Sequence, residues 1–147
     1  MLVPYGSYIF VVDGSRLALF RSIGKDYVPQ LELIEQERDL VPRTSEMGSG
    51  APGRGFQSSG SRRASYEQTD IHQALEEQFA MRACERLESL LKAEKVGVIL
   101  IAPPRVLGQM RKQLAPALRE LILREIDKDY AGRTPVELAK LLENHED

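Results

Sequence analysis

The chain has 147 residues, 42% hydrophobic and 29% charged, the balance of one soluble domain long enough to bury a core. A formal net charge of −2 argues against a general nucleic-acid coat protein, and the single cysteine, Cys84, excludes an internal disulfide and fits a reducing compartment. No signal-peptide pattern opens the sequence, and the longest apolar run, residues 96–104, is about half a membrane helix, so a cytoplasmic protein without membrane insertion is expected.

Tyr8 to Val12 is a continuous apolar run rich in β-branched and aromatic residues, which predicts a buried strand. Asp13-Gly14 signals a hairpin turn through residues that tolerate positive φ. Leu17 and Leu19 then alternate with Ala18 and Phe20 in a second strand, and residues 29–37 form a third with a mixed pattern. Three strands joined by short turns predict an antiparallel meander.

Residues 38–68 read as a flexible basic loop. Gly48-Ser-Gly-Ala-Pro-Gly-Arg-Gly-Phe56 and the following Gln57-Ser-Ser-Gly-Ser-Arg-Arg-Ala64 contain almost no apolar anchor. From Arg38 to Ala64 five arginines stand against Asp39 and Glu46, a local excess of three positive charges in a chain that is negative overall. A mobile loop presenting arginines more often meets a partner than holds a fold together.

Beyond the loop, Asp70 with Gln73 reads as a capping pair at a helix start, with Thr69 as a competing cap. Ile71, Leu75, Phe79, Ala83, Leu87, Leu90 and Leu91 recur at helical spacing and share one face. Residues 96–102 are apolar on both faces, the pattern of a central strand covered on both sides. Pro103-Pro104 ends it and opens a second helix, where Leu107, Met110 and Leu114 keep helical spacing until Pro116. Residues 118–126 suit strand and helix equally. Thr134-Pro-Val-Glu137 opens a last helix carrying Leu138, Leu141 and Leu142, and residues 143–147 are expected to fray. With 118–126 as a strand the order is β-β-β-α-β-α-β-α. That predicts an α/β fold with a three-layer, ribonuclease H-like mixed sheet and a long glycine/arginine-rich loop before the first helix.

Such an order raises the possibility of a two-metal nuclease, which needs clustered carboxylates. Asp13 is accounted for by its turn, Glu76 and Glu77 fit a solvated helix face, and the strand ending at Ala102 runs into Pro-Pro rather than a carboxylate. His72 and Glu76, one helical turn apart, form a possible polar site but a poor metal site, because His145 is the one other histidine. Cys84 falls near the apolar helix face and reads as a small core residue. No metal, cofactor or catalytic residue is expected. The arginines remain: Arg43, Arg54, Arg62 and Arg63 in the loop, with Arg105 and Arg111 beyond it. Arginine pairs bidentately with phosphate, and Phe56 and Tyr66 supply the few aromatic faces for base stacking.

Val12-Asp-Gly-Ser-Arg16, Pro52-Gly-Arg-Gly-Phe56 with Arg62-Arg63, Thr69-Asp-Ile-His72, Ala102-Pro-Pro-Arg105 with Leu107-Gly108 and Arg111, and Glu125-Ile-Asp-Lys-Asp129 with Pro135-Val-Glu-Leu138 resemble, in this order, the bacterial host attachment proteins. That family is similar to the middle domain of archaeal and eukaryotic peptide-chain release factors. The resemblance spans nearly the whole chain, so it implies one domain over 1–147 and a strand at about 120–127. It also implies two functional stories, attachment of bacteria to host cells and a ribosome-associated role. The release-factor loop carries Gly-Gly-Gln, whereas this chain reads Gly55-Phe56-Gln57, and Phe56 removes the backbone freedom that glycine supplies there. The function expected is therefore non-catalytic binding to the ribosome or structured RNA through the loop and Arg105. The alternatives are an attachment factor working through protein contacts and a hydrolase with an unrecognised site.

Overall fold

The computed structural model describes residues 1–25, 28–38 and 61–145, with the side chains of 61–70 excepted. Strands β1 (Tyr8–Val12), β2 (Arg16–Ser22) and β3 (Leu31–Arg38) come first, then helix α1 (Ser61–Ala93), strand β4 (Val98–Ile101), helices α2 (Pro104–Gln113) and α3 (Pro116–Arg119), strand β5 (Ile122–Ile126) and helix α4 (Pro135–Glu143). The five strands form one mixed sheet ordered β3-β2-β1-β4-β5. β1 and β2, and β2 and β3, pair antiparallel, while β1–β4 and β4–β5 are parallel. Only β2 therefore runs against the others.

The two most apolar runs in the sequence occupy the middle of the sheet and an interior position beside it, and every residue of β1 and β4 is buried. A strand loses water from both faces only where both are covered, which is the reason these runs do not alternate. On one face Phe10, Val12, Val98 and Leu100 pack with Phe79, Ala83 and Leu87 of α1 and Leu107 and Met110 of α2. On the other, Ile9, Val11, Ile99, Ile101 and Ile126 pack with Leu138 and Leu142 of α4. The layers are thus α1 and α2, the sheet, and α4.

The expected meander, central strand and last helix are all present, and the ambiguous stretch resolves into α3 followed by β5. α3 is an element the expected order lacked. Pro116 at its start and the backbone N–H groups of Leu118 and Arg119, both donating to the Ala115 carbonyl, make one short turn before the strand.

Two further expectations change. α1 begins at Ser61, more than two turns before the Asp70–Gln73 pair, so residues 61–68 belong to a helix rather than to the loop. After Gly60 no glycine or proline interrupts the sequence until Gly97, so nothing stops the helix from extending through Thr69 and Asp70. The β1–β2 hairpin forms, but Gly14 does not supply a positive φ; among the described glycines, Gly6 and Gly132 do. The turn is closed instead by the Asp13 side chain, whose Oδ1 accepts from the backbone N–H of Ser15 and of Arg16, both at 2.7 Å.

Candidate interaction site at the carboxyl edge of the sheet

Because β1, β3, β4 and β5 run the same way, their carboxyl ends share one edge of the sheet. That edge gathers the Asp13–Ser15 turn, Arg38 at the end of β3, the Pro103–Arg105 entry to α2, and residues 127–134. Crevices at such edges, where neighbouring strands connect in opposite directions, are where open α/β sheets place ligands. Here β1 leads back to β2 while β4 leads on to β5, so the crevice lies between β1 and β4.

α1 delivers Glu76 to this crevice, close enough that a methyl group on Gly14 would lie 3.7 Å from its Cγ. α2 delivers Arg105, whose Nε stands 3.2 Å from Glu76 Oε2. That oxygen is shut off from solvent and has no aligned hydrogen bond, so the contact is an ion pair rather than a directed bond. Asp13, next to it, is buried and already committed. Its Oδ2 accepts from Arg16 Nε at 2.9 Å, besides the two backbone N–H groups on Oδ1. Arg16 in turn lies against Gly132, carrying the turn's order across to the segment after β5.

Of the residues singled out in the sequence, Glu76 and Arg105 are brought together. His72 sits one turn from Glu76 toward the N-terminus of α1 and is exposed. Arg62 and Arg63 lie in the first turn of α1, about 20 Å along the helix from Glu76. Arg111 is at the far end of α2, where its Nε and Nη2 reach Glu125 Oε1 at 2.8 and 2.7 Å. Arg43, Arg54 and Phe56 fall outside the described residues. The described members of the expected arginine surface are therefore not gathered into one patch, and two of them are spent on carboxylates. Among the described residues no group of three or more His, Cys, Asp or Glu is placed to hold a metal ion.

Sequence reasoning missed a second polar cluster at the opposite edge. The Tyr8 hydroxyl donates to Glu94 Oε2 at 2.6 Å and accepts from Arg21 Nη2 at 2.9 Å, and Arg21 also pairs with Glu94 at 2.6 Å. The guanidinium lies 4.8 Å from the Tyr8 ring centroid, a cation–π distance. Burial, then the Glu94 carboxylate, raises the Tyr8 hydroxyl above its ordinary range, while the Tyr8 and Arg21 hydrogen bonds hold Glu94 below the usual carboxylate value. The cluster ties the end of α1 to β1 and β2. Only Tyr8, a polar tip at the start of an apolar strand, hinted at it.

The comparison with curated proteins finds no match. A family model described as a protein required for attachment to host cells matches residues 8–142, from the first residue of β1 to within α4, and the chain belongs to that family.

Proposed function

We propose that the protein serves attachment to host cells by binding a protein partner at the carboxyl edge of its sheet. The observation that carries this reading is the attachment-family match over residues 8–142, which covers every strand and both faces of the core. The geometry of the edge suits recognition. Asp13 is held by its turn and Glu76 by Arg105, so an incoming carboxylate that engages Arg105 must compete with Glu76 for it. The sheet order β3-β2-β1-β4-β5 with helices on both faces supports reading the fold as ribonuclease H-like, of the kind found in release-factor middle domains. Cys84, buried and unpaired, suits a cytoplasmic protein that acts on attachment indirectly.

The test compares cells lacking the protein with cells complemented by wild type or by Arg105→Glu, which sets like charge against Glu76. Attachment should fall in the deletion, return with wild type, and stay low with Arg105→Glu at an equal protein level and an unchanged melting temperature. Normal attachment of the deletion strain would overturn the reading. Ribosome or structured-RNA binding is the competing outcome. It would show as salt-sensitive co-sedimentation with ribosomes that Arg105→Glu abolishes.

A further inference from the structure

At the other end of α2 the sheet presents a second surface. A shallow groove of about 700 Å³ runs along β5, lined by Arg111, Arg119, Ile122, Leu123, Arg124 and Glu125. Among the described residues β5 pairs with β4 alone, so its outer edge offers backbone donors and acceptors to a further strand. The register shift at Val98/Ile99 leaves Leu123 without a direct partner on β4, and its side chain is half exposed. The lining charges are three arginines against one glutamate. Arg111 answers that glutamate, and Arg119 donates to the Arg111 carbonyl, a neutral acceptor that leaves its charge unbalanced at that contact.

The opposite edge of the sheet differs in its charge. β3 carries Glu32, Glu35 and Glu37, of which Glu35 is answered by Arg86, and its own irregularity leaves half-exposed Ile34 as an extra residue between paired Leu33 and Glu35. An acidic strand is repelled there and attracted at β5.

We propose that the β5 edge and its groove dock an extended acidic segment of a protein partner, added to the sheet beside β5. Backbone hydrogen bonds to β5 supply the affinity, Leu123 and Ile122 receive the segment's apolar side chains, and Arg119 selects its carboxylate. The lining residues include no aromatic ring for stacking bases, which favours a polypeptide over a nucleic acid. The site lies at the far end of α2 from Glu76–Arg105, and the inference stands whether or not the attachment reading does.

The experiment measures fluorescence anisotropy of a short labelled peptide alternating Glu and Val against the full chain, with a Lys-for-Glu peptide as control. The acidic peptide should bind at low salt, weaken as salt rises, and lose about tenfold in affinity with Arg119→Glu. Amide exchange at residues 122–126 should slow in the complex, which a purely electrostatic contact would not produce. Leu123→Asp, at an exposed position, gives a second variant should Arg119→Glu lower the melting temperature. Absence of binding at low salt, equal affinity in both variants, or protection elsewhere than β5 would overturn the proposal. So would equal competition by an oligonucleotide of the same charge. Concentration-dependent self-association in light scattering, lost in Arg119→Glu, would instead assign the edge to the acidic β3 of a second copy and also overturn it.

Discussion

A Cβ on Gly24 would overlap the Val28 carbonyl oxygen and meet the Gln30 nitrogen at 2.8 Å, both backbone atoms that cannot swing aside. Gly24→Ala should therefore destabilise the protein by about 1–3 kcal/mol, the usual cost of forcing atoms into filled space, read as a lower denaturant midpoint at unchanged slope. Gly132 is constrained differently: its φ of +83° strains any other residue, and its Cβ would press on the Arg16 guanidinium that holds the Asp13 turn. The atoms nearest a Cβ on Gly97 all belong to the side chain of half-exposed Leu123, which can rotate, so Gly97→Ala should cost least of the three. Cys84 shows a residue whose environment was legible from spacing alone. It lies on the buried face of α1, and burial, with Glu88 and Glu85 adding to it, pushes its thiol up to about 12. A raised value favours the protonated folded state, so this contribution is intact below the ordinary thiol range and is lost as pH climbs toward about 12. Tyr8, also raised, acts in the same direction. Stability should fall through the alkaline range, and Cys84 should resist alkylating reagents at mildly alkaline pH until denaturant is added. Alkylation of the native protein at the rate of a free thiol would refute this.

At the scale of elements, α4 matches its sequence signature closely. Thr134 Oγ1 accepts from the Glu137 backbone N–H at 3.2 Å, and Glu137 Oε1 accepts from the Thr134 N–H at 3.0 Å. Thr134→Ala should cost about 1 kcal/mol, a typical loss for removing such a cap, and lower the melting temperature. The bonds from Thr134 hold the Glu137 carboxyl below its usual value. Their contribution is present above the ordinary carboxylate range and fades as pH falls through the lowered value; because Thr134→Ala keeps the backbone N–H that Glu137 accepts from, the variant whose gap to wild type should narrow in acid is Glu137→Ala. α1 was harder to read for a physical reason. Thr69 and Asp70 have the side chains of a cap, but a cap needs a chain that would otherwise stop, and nothing from Ser61 onward stops it. Local chemistry identified a competent cap without the competing propagation. The candidate site was harder still. Glu76 and Arg105 come from different helices, and Tyr8 meets Glu94 across 86 positions of sequence, so no spacing rule announces either pair.

For the molecule as a whole, the burial of β1 and the central place of β4 were legible in hydrophobicity, because burial on both faces is a property of position in the sheet. The runs of β1 and β4, apolar throughout, had to be central, and the mixed patterns of β3 and β5 suit edges. The same logic predicts how the fold fails. Leu87 of α1 and Leu142 of α4 are both fully buried, but in clusters on opposite faces of the sheet. Truncating either to alanine should cost about 2–5 kcal/mol, through lost burial and the cavity left behind. The two side chains fall in separate clusters, so the double variant's loss should equal the sum within about 0.5 kcal/mol. Both clusters are nevertheless built on one set of strands, whose alternate residues point into each. Neither layer can therefore melt without exposing strands that the other also covers, and each single variant should still unfold in one transition by both circular dichroism and tyrosine fluorescence. Two separated transitions in Leu142→Ala would mean that α4 and its cluster melt apart from the rest. The sheet would then be a platform shared by two semi-independent layers rather than the common core that its buried central strands describe.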